Sequence, residues 1–234
     1  MSRQHPPPPA AVLLDIDGTL LDSNDAHARS WVETLAAHGR PVPFERVRPL
    51  IGKGGDKLLA ELLDVDAAGP LGHELADACR RLFLDRYLPS LQPTRGARPL
   101  LERMRAAGLA RVVATSADGD ELGALLQQAG IDDLVDASAS ASDAQRSKPD
   151  PDIVRASLGK IGVAAERALM LGDTPYDIEA AARAGVQTIA LRCGGWWNDA
   201  ALARATAIYD DPAALLDDWD GSPLARIASA HFAP

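Results

Sequence analysis

Short apolar runs that end at polar residues or glycine recur along the chain. Runs of this length, bounded by turn-forming residues, are typical of buried strands. We assign strands to residues 11–14, 112–114, 168–171, 186–191 and, with a shorter run, 207–209. Helical periodicity fills the intervals, as at Leu100, Met104 and Ala107, and a glycine follows such segments. The alternation of strands and helices predicts an α/β fold with a Rossmann-like parallel sheet covered on both faces.

The alternation is interrupted once, between the first and second predicted strands. Residues 22–91 show helical periodicity and no convincing strand. About 70 residues are too many for a connecting loop in a compact domain. We therefore predict a helical cap domain at 22–91, inserted into a catalytic core made of 11–21 and 92–234. Residues 1–10, which contain four consecutive prolines, are predicted to form a disordered tail.

Composition narrows the class of protein. The chain has 234 residues, of which 47% are hydrophobic and 24% charged, as in ordinary globular proteins. Its net charge of −9 disfavours binding to nucleic acid. Cys79 and Cys193 are too few for a disulfide framework, so we expect two buried thiols. Without a long apolar run or a secretory signal, we expect a cytoplasmic protein that binds no membrane, as a monomer or homodimer.

The candidate chemistry lies where the predicted strands end, because the carboxyl ends of parallel strands meet at one edge of a sheet. Asp15 and Asp17 follow the first strand, and Thr115 follows the second. Asp173 and Asp177 follow a later strand, and Lys148 lies in a loop before a helix. These are the residues from which we expect an active site.

Carboxylates gathered in one crevice repel each other by about 4 kcal/mol per pair at 4 Å and an effective dielectric constant of about 20. A hard cation such as Mg²⁺ takes oxygen ligands of this kind and also binds substrate phosphate. Lys148 and the hydroxyl of Thr115, or of its neighbour Ser116, could bind the phosphate oxygens. Asp15 could then attack phosphorus and carry a covalent aspartyl phosphate. The pattern therefore indicates phosphoryl chemistry.

Four separated motifs resemble, in order and spacing, those of the haloacid dehalogenase superfamily, in its phosphoglycolate phosphatase and beta-phosphoglucomutase-like group. They are the DIDGTL sequence at 15–20, Thr115, Lys148 with Pro149, and the GDTPYD sequence at 172–177. The resemblance spans residues 11 to 213 and implies a helical cap that closes over the active site.

The resemblance also implies roles for the matching residues. Asp15 corresponds to the nucleophile, and Asp17 to the acid that protonates the leaving oxygen and then activates water. Thr115 and Lys148 correspond to the phosphate-binding pair. Asp15, Asp173 and the backbone carbonyl of Asp17 would hold Mg²⁺, with Asp177 as a ligand or as a partner of the ligands.

The cap contributes further candidates. Residues 50–59 resemble the GxG-containing substrate loop of phosphoglycolate phosphatases, so we expect a turn at 52–55 facing the site, with Lys53 on the leaving group. His27 and Trp31 resemble the HxxxW stretch of members that act on sugar phosphates. A lone histidine on a helix is more often a packed or surface residue, and that is our interpretation of His27. Trp196 and Trp197 could border the cap, but we expect them to pack in the core.

The function that follows is a magnesium-dependent phosphatase that hydrolyses a small phosphate monoester through an aspartyl-phosphate intermediate. Phosphoglycolate and a sugar phosphate are candidate substrates. Two alternatives remain open at this stage, a phosphosugar mutase of the beta-phosphoglucomutase type and a non-catalytic binding module on the same fold.

Overall fold

The centre of the protein is a six-stranded parallel sheet, seen in a computed structural model that describes residues 10–117 and 119–229. The strands are β1 (Ala11–Leu14), β2 (Ala110–Ala114), β3 (Ala137–Ala139), β4 (Ala168–Gly172), β5 (Gln187–Leu191) and β6 (Ala207–Tyr209). Their order across the sheet is β3-β2-β1-β4-β5-β6. β1 therefore lies between β2 and β4, at the point where the order of connection reverses.

Helices cover both faces of this sheet, which confirms the α/β class. Val12 and Leu14 of β1 pack into the core cluster on one face, and Ala11 and Leu13 pack into the cluster on the other. The helices are α1 (Asn24–Ala37), α2 (Phe44–Val47), α3 (Gly55–Leu63), α4 (Pro70–Leu82), α5 (Ala97–Ala106), α6 (Gly119–Gln128), α7 (Asp152–Ile161), α8 (Pro175–Arg183), α9 (Asp199–Leu202), α10 (Pro212–Asp217) and α11 (Pro223–Ser229).

All five strands expected from the sequence are present, but β3 was not expected. Its sequence, Ala-Ser-Ala, contains no apolar run, and two of its three residues are only partly buried. β3 lies at the edge of the sheet, where it pairs with β2 through Val112, Val113 and Ala114. An edge strand needs little apolar surface of its own because only one side is paired.

Residues 22–91, which we call the cap, connect β1 to α5 and are largely helical. Helices α1 to α4 lie here, and a π-helical segment at Phe83–Tyr87 continues α4. The cap has its own apolar cluster, which includes Trp31, Leu35 and Leu75. This cluster is separate from the two that cover the sheet.

The cap contacts the core through polar side chains and a close backbone approach. Lys57 pairs with Asp150, and the Tyr176 hydroxyl donates a 2.6 Å hydrogen bond to the Pro49 carbonyl. Gly54 lies so close to the loop before Lys148 that a Cβ there would collide with the Ser147 hydroxyl. The two parts therefore enclose the space above the strand ends.

The first described residue, Ala10, packs on the sheet, and both cysteines are free thiols. The predicted tail lies outside the described residues except for Ala10, which is buried and whose carbonyl accepts a 2.9 Å hydrogen bond from Ala110. Cys79 is free and buried, and Cys193 is free and partly buried. None of the helices within the described ranges is long and apolar enough to cross a membrane.

Candidate active site

The carboxyl ends of three neighbouring strands deliver the first site residues. Asp15, Thr115 and Asp173 directly follow β1, β2 and β4, and all three are buried. The parallel register aligns Leu14 with Val113 and with Leu171, so the residues beyond these positions converge. The backbone N–H of Asp15 donates a 2.9 Å hydrogen bond to the Leu171 carbonyl, which fixes the start of the loop.

Lys148 provides the cation of the site. Its ammonium lies 2.5 Å from Oδ1 of Asp15 and 2.8 Å from Oδ1 of Asp177, and its side chain is 1% exposed. Burial disfavours the charged form, but attraction to Asp15 and Asp177 outweighs it and raises the pKa of Lys148. The side chain is therefore a permanent positive charge between two carboxylates.

Three buried carboxylates, those of Asp15, Asp173 and Asp177, offer oxygen atoms within 4.8 Å of one another. The Thr19 hydroxyl lies 3.3 Å from Oδ2 of Asp15 and 3.3 Å from Oδ1 of Asp173, so these two oxygens point towards a common position. Such a set of oxygen donors fits a hard divalent cation.

Lys148 alone does not balance the charge of this cluster. Burial, with repulsion from Asp177 and Asp17, raises the pKa of Asp15 to about 7 despite the attraction of Lys148. Burial and repulsion from Asp15 and Asp177 raise the pKa of Asp173 well above its ordinary value. A further positive charge would relieve this repulsion, so the residues present fit a metal ion.

Both oxygens of Asp177 have partners in the protein. Oδ2 accepts hydrogen bonds from the backbone N–H and hydroxyl of Thr174, at 3.1 and 2.7 Å, in a capping box that begins α8. Oδ1 accepts from Lys148. These contacts favour Asp177 as the residue that holds Lys148 in place.

Asp17 stands apart from the group formed by Asp15, Asp173 and Asp177, and it is held by residues at the start of α1. Its Oδ1 accepts a 2.5 Å hydrogen bond from the Ser23 hydroxyl and lies 2.9 Å from Nε2 of His27. The His27 ring stacks on Phe83 with centroids 3.8 Å apart. Burial disfavours ionisation of Asp17, but His27 and Ser23 outweigh it and lower the pKa of this carboxyl. The same attraction overcomes burial and raises the pKa of His27.

A cavity of about 200 Å³ lies between the cap and the core. The core lines it with Asp15, Asp17, Thr115, Ser116 and Lys148. The Thr115 hydroxyl oxygen accepts a 3.1 Å hydrogen bond from the backbone N–H of Ala117, and the described residues offer its proton no acceptor. That proton is available to a bound anion. The cavity therefore collects the residues that the sequence assigns to phosphate and to catalysis.

The cap contributes the glycine turn at 52–55 and Lys53 to the cavity wall, together with Trp31 and Arg80. Gly52 has a φ of +102°, and a Cβ there would lie 2.7 Å from Cγ2 of Thr174, so glycine allows the turn to approach the core. The Lys53 ammonium pairs with Glu61 and lies 4.9 Å from the centre of the Tyr176 ring.

Several residues near the site were missed or misinterpreted from the sequence. His27 pairs with Asp17 instead of serving only as a packed or surface residue, and its spacing from Trp31 was the available signal. Trp196 does not pack in the core, because it is 40% exposed with its ring 5.7 Å from the Arg48 guanidinium. No sequence signal marked Asn24, which donates a 2.8 Å hydrogen bond to Asp173.

Comparison with known proteins agrees with this geometry. The haloacid dehalogenase-like hydrolase family matches residues 9–185. A phosphoglycolate phosphatase from Rhodospirillum rubrum is 34% identical over 92% of this chain and 92% of its own length. An N-acetylmuramic acid 6-phosphate phosphatase from Pseudomonas aeruginosa is 31% identical over 90% of this chain and 94% of its own.

Comparison with solved structures also finds proteins with this fold. The crystal structure of a hydrolase from Pseudomonas syringae has a TM-score of 0.83 and 28% identity, covering 91% of this chain and 98% of that chain. A beta-phosphoglucomutase from Clostridium difficile, at 17% identity and a TM-score of 0.80, covers 95% of this chain and 98% of its own and shares the fold. The chain therefore belongs to the haloacid dehalogenase-like hydrolase family, and it is a phosphoric monoester hydrolase.

Proposed function

We propose that this phosphatase uses Asp15 as its nucleophile and Asp17 as its general acid and base. The observation that carries the proposal is that Asp15, Asp17, Thr115, Ser116 and Lys148 line one cavity beneath the cap. A phosphoryl group in that cavity would meet a carboxylate nucleophile and the permanent positive charge of Lys148. The Thr115 hydroxyl would donate to one of the phosphoryl oxygens.

In the first step a carboxylate oxygen of Asp15 bonds to phosphorus and the bond from phosphorus to the ester oxygen breaks. The leaving oxygen takes its proton from Asp17. Because the pKa of Asp17 is lowered and that of His27 is raised, the proton of this pair rests on His27, and it passes to Asp17 as Asp17 protonates the leaving oxygen. In the second step water bonds to phosphorus and gives a proton to Asp17, and the bond from phosphorus to Asp15 breaks. Asp17 returns this proton to His27, so one water is consumed and both carboxylates are restored.

We assign Mg²⁺ to the oxygens of Asp15 and Asp173, with the backbone carbonyl of Asp17 as a third protein ligand. When bound, the ion neutralises charge on the transferring phosphoryl group. Asp177 would act on Lys148, since its two oxygens already have protein partners. Ser23 and His27 already contact the side chain of Asp17. We therefore assign its backbone carbonyl, and not its carboxylate, to the metal.

For the substrate we propose a small anionic phosphate ester, with phosphoglycolate and sugar phosphates as the first candidates. The two curated relatives named above are a phosphoglycolate phosphatase and a phosphatase of a sugar phosphate. The cap side of the cavity carries Lys53 and Arg80, cations that could pair with a carboxylate on the leaving group. We place Lys53 beside the leaving group and treat 22–91 as the domain that sets specificity.

The proposal is tested by a phosphate-release screen over a panel of phosphate monoesters with Mg²⁺, with Asp15→Asn protein as the blank. We expect release of inorganic phosphate from at least one ester, and none above background from the variant. A phosphosugar mutase would convert a hexose 1-phosphate to the 6-phosphate while releasing almost no phosphate. Equal release by both proteins would refute the role of Asp15.

A further inference from the structure

The carboxylate of Asp173 is held on both of its oxygens. Oδ1 accepts from the Thr19 hydroxyl on the side of Asp15. Oδ2 accepts a 2.8 Å hydrogen bond from the side-chain amide of Asn24, the first residue of α1 and 1% exposed. This second bond keeps the carboxylate from rotating, so that Oδ1 stays towards Asp15. Asn24 thus binds the oxygen of Asp173 that does not face Asp15, and Asp173 is a residue that we assign as a ligand of the cation.

The backbone packs tightly against the hydrogen bond between Asn24 and Asp173. A Cβ at Gly194 would collide with Oδ2 of Asp173, and one at Gly18 would collide with the amide nitrogen of Asn24. Both positions are therefore restricted to glycine by close approach. The same Asn24 amide also lies 3.3 Å from the carbonyl of Gly194. The amide has two N–H groups and donates to both acceptors, with the shorter bond to Asp173.

A second donor from the cap reaches the Gly194 carbonyl. The guanidinium of Arg48, 2% exposed, donates to this carbonyl through Nη2, and its Nε lies 2.6 Å from Oδ1 of Asp25. A charge-assisted bond from Arg48 satisfies the carbonyl more strongly than the neutral amide can. Arg48 thereby fixes the carbonyl that also accepts from Asn24. The charge of Arg48 is offset by Asp25, so its main effect on the site is through this carbonyl.

The polar groups of this contact are incompletely satisfied within the protein. Nη1 of Arg48 and Oδ1 of Asn24 are both buried and have no hydrogen-bond partner among the described residues. Stability alone does not favour burying a guanidinium in this state. Arg48 belongs to the cap and contacts the carbonyl of Gly194, which lies against Asp173. A role in the active site therefore explains its burial better than stability does.

We propose that Asn24 and Arg48 are positioning residues for Asp173, and that seating of the cap through Arg48 strengthens cation binding at the catalytic site. The inference rests on the proposed function in that Asp173 is taken to bind the cation. Arg48 fixes the Gly194 carbonyl, this carbonyl accepts one N–H of Asn24, and the other N–H of Asn24 fixes Asp173. Partners that orient metal ligands in this way change metal affinity by about 10- to 100-fold when removed.

The test is the dissociation constant of Mn²⁺, measured by calorimetry without substrate. We expect Asn24→Ala to weaken binding about 10- to 100-fold, and Arg48→Met to weaken it by a smaller factor in the same direction. The double variant should bind no more weakly than Asn24→Ala alone, because both changes act through one carboxylate. Asn24→Ser and Arg48→Lys replace any variant that does not fold.

Arg111→Met is the matched control. Arg111 is also a buried arginine, 6% exposed, which donates to the backbone carbonyls of Leu134 and Leu109 away from the site. We expect it to lower the melting temperature without changing the Mn²⁺ dissociation constant. The inference is overturned if the Asn24 variants bind Mn²⁺ as tightly as wild type, or if Arg48→Met matches Arg111→Met. Failure of wild type to bind Mn²⁺, with phosphate release that resists chelator, would overturn the proposed cofactor as well.

Discussion

Replacement of Lys148 by methionine removes the positive charge from the site while keeping most of the side-chain volume. The ammonium makes two ionic contacts, at 2.5 and 2.8 Å, and is buried. Removing one partner of a buried ion pair destabilises a fold by about 3 to 5 kcal/mol. Loss of a preorganised charge aimed at the reacting group lowers kcat by about 10²- to 10³-fold, or about 3 to 4 kcal/mol.

The assay is phosphate release with Mg²⁺ from several monoesters, including an aryl phosphate. We expect the same fold-decrease for every ester, because the charge acts on the phosphoryl group and not on the leaving group. Lys160→Met is the control, since Lys160 is 39% exposed and pairs with Asp143 outside the cavity lining. Lys148→Arg, which keeps the charge, should fold and retain part of the activity. A defect confined to one ester, or a loss below tenfold in folded protein, would refute the reasoning.

Three further predictions concern the carboxylates, the metal and the thiols. In chelator at pH 8, Asp15→Asn should be at least as stable as wild type by urea unfolding, because Lys148 keeps Asp177 as its ionic partner, and the difference should shrink towards pH 4. The sign follows because the folded pKa of Asp15, about 7, lies above its unfolded value of 3.8, so ionisation costs stability as pH rises; a less stable variant at pH 8 would contradict this. Chelation should abolish phosphate release and Mg²⁺ should restore it, whereas Ca²⁺ should restore little because its coordination is larger and looser; full activity in excess chelator would exclude the metal. Burial raises the pKa of Cys79 and of Cys193 to about 12. Alkylation of the folded protein at pH 8, followed by mass spectrometry, should therefore be far slower than alkylation of the unfolded protein. Equal alkylation rates would refute the burial of these thiols.

The role of Lys53 is tested by specificity. Lys53→Ala should change the ranking of substrates with anionic leaving groups more than it changes hydrolysis of an aryl phosphate with an uncharged leaving group, because the cation would act on the leaving group. Arg86→Ala, another cationic residue of the cap but paired with Glu33 and outside the cavity lining, is the control. Equal specificity ratios for Lys53→Ala and wild type would show that Lys53 only pairs with Glu61.

The strands and their terminal residues were predictable because both depend on local pattern. An apolar run that ends at a polar residue marks a buried strand and its carboxyl end, and a parallel sheet brings such ends together. Asp15, Thr115 and Asp173 could be placed on this basis alone. β3 could not, since an edge strand of Ala-Ser-Ala has no apolar run to reveal it.

The interface between cap and core was not predictable, because its contacts join residues far apart in sequence. Asn24 resembles an ordinary residue at the start of a helix, and only the fold places it 2.8 Å from Asp173, 149 positions away. Arg48 resembles a surface charge, and only the seated cap buries it on Gly194. Likewise, the contact of His27 with Asp17 depends on the direction of α1 relative to the loop that follows β1.

The central claim is that phosphate passes through a covalent bond to Asp15. The direct measurement is rapid acid quenching during turnover of a ³²P-labelled ester, followed by borohydride reduction and mass spectrometry of the peptides. We expect protein-bound label during turnover, reduction of residue 15 to homoserine, and neither signal in Asp15→Asn. Label on another residue, or phosphate release with no labelled protein at any quench time and no reduction at residue 15, would contradict the account.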